Sequence, residues 1–284
     1  MLARNATPRA VAAAVLFLIA LTVPLRALPV RADAPPPLSI AVLTAELAAS
    51  TPTLERESSI AAGLAASSPG SAFATAQVTM QAGAADERFR NAVRSEQRAI
   101  YVLAGNPAVA AQVQSQLGAK APPGLPSVLT ALQGLFTLAG ETAPAPSFHW
   151  PYNTALPLAT LEGYYQGAAQ QYGLDWHYLA AINFLESDFD RDTNVSPAGA
   201  QGPMQFEPAT WAEYGDGGNI HDPHDAIYGA ARYLSAMGAP GDYPLAILRY
   251  NDDSNYVAAV SGLAAAMGTD GLWLQRIYYW STYG

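Results

Sequence analysis

The chain has 284 residues, of which 50% are hydrophobic and 13% charged, with a formal net charge of −9 and no cysteine. The acidic balance argues against a nucleic acid or an anionic membrane surface as partner. The absence of cysteine excludes disulfides and attachment of a lipid through sulfur, so packing alone must stabilise the fold. The length allows one large or two modest domains. Alanine with scattered Leu, Tyr and Gln favours helix, and β-branched runs of strand length are scarce, so the expected fold class is all-α.

Met1 to Ala32 has the layout of a secretory signal peptide: Arg4 and Arg9, then an apolar run from Val11 to Val23 broken by Pro24, then a small-residue cleavage site at Val30-Arg31-Ala32. The apolar run is too short for a comfortable membrane span, although an uncleaved anchor is the alternative reading. This segment holds four arginines and no acid, so a chain beginning at Asp33 would carry −13. Asp33 to Pro37 is Pro-rich and extended. Leu38 to Ala66 has weak helical periodicity, and Ser67 to Ser71 reads as a break. Residues 86–104 predict an amphipathic helix with Phe89, Val93, Ile100 and Leu103 on one face and Arg88, Arg90, Arg94, Glu96 and Arg98 on the other. Short helices are expected over 108–117 and 126–139, separated by the turn Pro122-Pro123-Gly124. The stretch 142–157, with Phe148, Trp150 and Tyr152 among prolines, looks like a linker into a second domain.

The second half is punctuated by Asp at helix starts and Gly at helix ends. A helix over 159–172 stops at Gly173, and Asp175 caps the next, which runs to about residue 188. Pro208 opens a short helix through Tyr214. Asp225 is expected to cap 226–237, Asp242 to cap a helix containing Tyr250, and Ser254 or Asp253 to cap 256–267, stopped by Gly268. A last helix starts from Asp270.

Three short motifs could carry chemistry. The first is Glu186-Ser187. Leu179, Ile182 and Glu186 fall at i, i+3 and i+7 and share one helix face, which sets a carboxylate among core side chains. Loss of hydration raises the pKa of such a group, as a general acid near neutral pH requires. Ser187 can bond that carboxylate or a ligand, or serve as an ordinary local backbone partner. The second motif runs from Ser196 to Phe206: Gly199 and Gly202 allow a tight path and close approach, and Gln205 has donors and an acceptor suited to sugar hydroxyls or an acetamide. A turn before a helix, with Met204 and Phe206 as core, is the plain alternative. The third is Ala246 to Asn251, in which Tyr250 could offer its hydroxyl to Glu186 and Asn251 could bond substrate; the alternative is a packed aromatic and a helix-ending Asn.

Together, in this order and spacing, Glu-Ser at a helix end, Gly-x-x-Gly-x-Met-Gln and Ala-x-x-Tyr-Asn resemble the soluble lytic transglycosylases, lysozyme-like glycosidases related to goose-type lysozyme. The similarity covers about residues 157–262; Glu207 departs from the apolar residue common after Met-Gln-Phe, and Asp252-Asp253 after Asn251 has no assigned counterpart. The resemblance implies a lysozyme-like fold and cleavage of the β-1,4 bond between N-acetylmuramic acid and N-acetylglucosamine in peptidoglycan, leaving a 1,6-anhydro sugar. It implies Glu186 as sole acid and base, with Ser187, Gln205, Tyr250 and Asn251 orienting it or the sugars, and with the Met204 backbone lining the cleft. No cofactor or metal is implied.

The resulting expectation is a signal peptide over 1–32, a helical region over 33–148 that could bind a cell-wall protein, and a catalytic domain over 149–284. The protein would be secreted, monomeric and bound to the glycan strands of the wall. Asp188, Asp190 or Asp192 could supply a second carboxylate, which would make a hydrolytic muramidase. A non-catalytic peptidoglycan-binding scaffold is a third reading. His221, Asp222, His224 and Asp225 could hold a metal or form a turn and cap. Trp273, Tyr278, Tyr279, Trp280 and Tyr283 could stack on sugars or belong to the core.

Overall fold

The computed structural model describes residues 39–67, 72–138, 140 and 153–280. The expected signal peptide, most of the break after Ser67, the aromatic linker residues Phe148, Trp150 and Tyr152, and Tyr283 lie outside them. Among the described residues there are eleven α-helices and no strand, which is the all-α class expected. None of these helices is long and apolar enough to cross a membrane.

The first four helices are α1 (Ile40–Ala65), α2 (Ala72–Ala104), α3 (Pro107–Leu117) and α4 (Leu125–Leu138). Ser39 starts α1 by accepting the Val42 N–H. α2 starts at Ala72 rather than at the predicted Asp86, because the uncharged Ala- and Gln-rich stretch before Asp86 has good helix propensity without an amphipathic pattern to announce it. Next come α5 (Leu158–Tyr172), ended by Gly173 at φ 69°, and α6 (Trp176–Ser187), capped by Asp175. Then follow α7 (Pro208–Tyr214), α8 (Pro223–Ala236), α9 (Tyr243–Tyr250), α10 (Ser254–Thr269) and α11 (Leu272–Trp280). The cap of α8 is Asp222, not Asp225: Asp222 accepts the Asp225 N–H, and Pro223, which has no N–H to leave unpaired, takes the first helical position. Asp253 caps α10, which runs through Gly268 to Thr269 instead of stopping there.

Helix α6 is the centre of the second half. Its residues Leu179, Ala180, Ala181, Ile182 and Asn183 are all fully buried, and α5, α8 and α10 pack around it. Helix α10 in turn lies along α4. Glycines on both helices permit that approach: a Cβ on Gly134 would lie 2.7 Å from the Asn255 carbonyl oxygen, and one on Gly262 2.6 Å from that of Ser127. One buried cluster therefore runs without interruption from Leu43 through Leu132 and Ile182 to Trp280.

A charged knot joins the first helices to the last. Arg276 of α11 and Glu96 of α2 are fully buried and paired at 3.1 Å. Arg276 also reaches Asp270 at 2.9 Å and the Thr51 hydroxyl at 3.1 Å, while Ser50 donates to Glu96 at 2.7 Å. Burial pushes the Glu96 carboxyl up against the pull of Arg276 and the Ser50 hydrogen bond. Breaking such a pair leaves a buried charge alone. Arg276→Ala should therefore cost about 3–5 kcal/mol in urea unfolding followed by tryptophan fluorescence, whereas Glu96→Leu with Arg276→Met should recover most of that loss.

Candidate active site

Glu186 sits in the last turn of α6, where the helix is buried on nearly every side; the residue itself is 9% exposed. One carboxylate oxygen, Oε1, accepts a hydrogen bond from the Tyr256 hydroxyl of α10 at 2.5 Å. The other, Oε2, is buried and has no partner among the described residues. Burial drives the Glu186 pKa from 4.5 to about 8, and the Tyr256 hydrogen bond opposes this only in part. The phenols around it, Tyr256 and Tyr250, are pushed well above the usual range by their own burial and by the Glu186 charge.

The loop between α6 and α7 is fastened beside this carboxyl at two adjacent carbonyls. The Pro203 oxygen accepts from Ser187 Oγ at 2.7 Å and from Asn183 Nδ2 at 2.9 Å, both on α6. Asn183 is itself oriented by the Tyr165 hydroxyl of α5, which donates to its Oδ1 at 2.6 Å. The Met204 oxygen accepts from the Tyr250 hydroxyl of α9 at 2.6 Å. Paired Gln201 and Phe206 close the loop, with N–H···O bonds of 3.0 Å in both directions. Gly202 stands at φ 77°, and a Cβ there would fall 1.9 Å from the Ile220 carbonyl oxygen, so only glycine fits. The close approach at Gly202 is thus made by the protein's own backbone. Ser196 Oγ accepts the Ala200 N–H at 2.9 Å and shapes the start of the loop.

Of the residues singled out from the sequence, Glu186, Ser187, Met204, Gln205, Tyr250 and Asn251 are all buried. Ser187 takes the local backbone role expected as its alternative, accepting the Asp190 N–H, while Tyr250 and Gln205 bond backbone carbonyls. Ser187 donates to the Pro203 carbonyl and does not hold Glu186. Tyr250 donates to Met204, and the hydroxyl on Glu186 is that of Tyr256, six residues on. Gln205, at φ 47°, gives its amide NH₂ to the carbonyls of Asn194 (3.2 Å) and Gly202 (3.1 Å). The sequence does not single out Tyr256, which begins a helix of Ala and Val and belongs to none of the three motifs. A buried tyrosine in so apolar a helix needs a partner for its hydroxyl, and that was the available signal.

The backbone after Ser187 is unusual. Asp188, Phe189 and Asp190 all adopt left-handed conformations, with φ of 53°, 58° and 66°. Each costs a non-glycine residue roughly 1–2 kcal/mol. The turn's amides are satisfied: Phe189 N–H goes to Asn183 O, Asp190 N–H to Ser187 Oγ and Asp192 N–H to Ser187 O. Asp188 lies 3.5 Å from Arg191, and Asp192 accepts from the Asn194 backbone and amide. Asp190 is half-buried, and burial together with the Asp222 charge raises it to about 6. None of the three adds to the shift of Glu186. Asp222, His224 and Asp225 bring possible ligand atoms within 4.8 Å of one another. They are engaged as caps: Asp225 accepts from Asn219 N–H at 2.9 Å and meets His224 at 3.1 Å. The aromatic residues of α11 are core or contact residues, with Trp273 and Trp280 almost wholly buried.

Glu186, at the end of α6, is thus held by Tyr256 of α10 next to a Gly-x-x-Gly-x-Met-Gln loop clamped by α6 and α9. Residues 163–266 match the family described as the Transglycosylase SLT domain. The chain is similar to the membrane-bound lytic murein transglycosylase F 1 of Alkalilimnicola ehrlichii, with 39% identity over 26% of this chain and 15% of the relative. It is also similar to the membrane-bound lytic murein transglycosylases F of Thiobacillus denitrificans (30% identity, 40% of this chain, 25% of the relative) and Marinobacter nauticus (31%, 40% and 24%). The chain therefore spans a quarter or less of the length of these relatives. No solved structure matches it significantly.

The Glu186 shift has a consequence for stability. Its pKa is higher in the folded chain than the ordinary 4.5, so its contribution is fully present below that value and is lost as pH rises through about 8. Glu186→Gln should accordingly be more stable than the parent at about pH 9, by up to about 5 kcal/mol, and indistinguishable at about pH 4, in thermal melts at the two pH values.

Proposed function

We propose that the chain is a peptidoglycan lytic transglycosylase that cleaves the β-1,4 bond between N-acetylmuramic acid and N-acetylglucosamine, with Glu186 as its only acid and base. The observation that carries this reading is a buried carboxyl whose Oε2 has no hydrogen-bond partner among the described residues, whose pKa burial raises to about 8, and whose shift no carboxylate of the described residues adds to. Two-carboxylate glycosidases need an acid together with a base or nucleophile. A single carboxyl suffices when the substrate supplies its own nucleophile.

In this scheme protonated Glu186 donates to the leaving glycosidic oxygen, and the bond from that oxygen to C1 of the muramic acid breaks. The substrate's acetamide shields the cationic centre. The C6 hydroxyl of the same sugar then attacks C1 and gives its proton to the Glu186 carboxylate, which restores the acid and closes the 1,6-anhydro ring. Holding that hydroxyl beside C1 replaces a bimolecular step by an intramolecular one. Tyr256 steadies Oε1, leaving the unpartnered Oε2 to carry the donated proton. Ser187, Gln205 and Tyr250 act through the loop they fasten, and Asn251 and the Met204 backbone border the sugar. Residues 149–284 form the catalytic unit, and residues 33–148 add a helical region that could carry a wall-protein contact. The relatives' names and the sequence before Asp33 support work outside the cytoplasm, at the wall.

Mass spectrometry of muropeptides released from purified sacculi tests the reading. Products one water lighter than hydrolysis would give are expected, and Glu186→Gln should reduce release about 10²–10⁴-fold. Borohydride-reducible ends would instead identify a hydrolase, and binding without release a scaffold. Activity should fall as pH rises through about 8, because the donor proton is lost. Tyr256→Phe removes a bond that favours the carboxylate, so this alkaline limb should move to higher pH while kcat drops about tenfold.

A further inference from the structure

Helix α11, outside residues 163–266, reaches the turn that follows Glu186. Left-handed backbone over three consecutive non-glycine residues, directly after Glu186 and Ser187, persists only where its surroundings over-determine it. Two side chains of the turn provide this. Phe189 is fully buried, with its ring 5.6 Å from Phe184 and 5.5 Å from Tyr278. Arg191 is 5% exposed; its guanidinium donates to the Asp188 carbonyl at 3.2 Å and lies 4.4 Å from the centroid of the Tyr278 ring. Arginine stays charged, and a ring face attracts it most strongly where water is excluded.

Tyr278 belongs to α11, beyond the matched domain. Its hydroxyl donates to the Leu156 carbonyl at 3.0 Å, and the Arg191 carbonyl accepts from the Asn153 N–H at 3.0 Å, so the segment entering α5 is tied to the same spot. Helix α11 is anchored on α2 by the buried Arg276–Glu96 pair and by the Tyr279 hydroxyl on Asp86 at 3.0 Å.

We propose that Arg191 and Tyr278 are positioning residues: their stacked pair clamps the left-handed turn and so sets the seat of Glu186 from helices that flank the SLT domain. The proposal rests on the role of Glu186 as the acid. Neither residue acts on Glu186 through charge, since the titratable groups facing its carboxyl are Tyr256 of α10 and Tyr250 of α9. The clamp works through geometry. When it is lost the turn can relax, the Ser187 bonds to Asp190 and Pro203 at its base loosen, and water reaches the carboxyl.

The test uses the full chain with Tyr278→Ala, Arg191→Met and the conservative Tyr278→Phe. Muropeptide release gives kcat and KM, and the ¹³C carboxyl signal of Glu186, assigned by its absence in Glu186→Gln, gives its titration without reference to activity. Tyr278→Ala and Arg191→Met should lower kcat about tenfold with KM within about twofold, and Tyr278→Phe should restore kcat. The Glu186 titration should move from about 8 in the parent to below about 7 in the first two variants and return in the third. Variants that melt earlier yet keep both kcat and the Glu186 titration would overturn the clamp. A parent that releases no fragments, or releases them equally with Glu186→Gln, would overturn the proposed activity instead, and the carboxyl titration would still decide the clamp.

Discussion

Removing one carboxyl from water is the constraint on which the rest of this structure depends. Among the described residues Glu186 keeps a single hydrogen bond, from Tyr256, and no cation contributes to offset the lost hydration. The proton stays on at neutral pH for that reason. Three conditions must hold together: α6 must be buried along its length, α10 must bring a tyrosine to its end, and the chain leaving α6 must turn away at once. The packing of α6 against α5, α8 and α10 meets the first two, and the left-handed turn meets the third.

The turn delivers the chain into a loop whose position is fixed by its own carbonyls. Ser187 and Asn183 hold Pro203, and Tyr250 holds Met204. Side chains whose chemistry first suggests sugar binding are thus used to place backbone. The cost of burying these hydroxyls and amides is offset because each finds a carbonyl partner, Ser187 and Asn183 sharing that of Pro203. Gly202 is part of the same arrangement, since the Ile220 carbonyl occupies the space a side chain would need. A site built this way is stiff, as the proposed reaction, which depends on one proton in one place, would require.

The flanking helices contribute through contact area and one charged knot. Ala-rich helices bury little surface each, and they compensate by close approach. Gly134 and Gly262 let α4 and α10 come together, and the Glu96–Arg276 pair fixes α11 on α2. Through the stack of Tyr278 on Arg191 that order extends to the turn beside Glu186.

Much of this was determined by the sequence alone. Asp175, Asp242 and Asp253 as caps, Gly173 as a stop and the apolar spacing of Leu179, Ile182 and Glu186 are local signals, and local backbone chemistry is what they report. The three motifs likewise placed Glu186 at a buried helix end beside a glycine-containing loop. The cap of α8 was misplaced by three residues because Asp222 and Asp225 are both plausible and only the helix itself chooses. The partner of Glu186 was decided by tertiary structure: Tyr250 and Tyr256 are chemically alike, and the packing of α10 on α6 brings the second to the carboxyl while α9 sends the first to Met204. The same holds for the fully buried Arg276 and the Arg191–Tyr278 stack, since charge and aromaticity in a sequence do not reveal which distant side chain will share a dry interior with them.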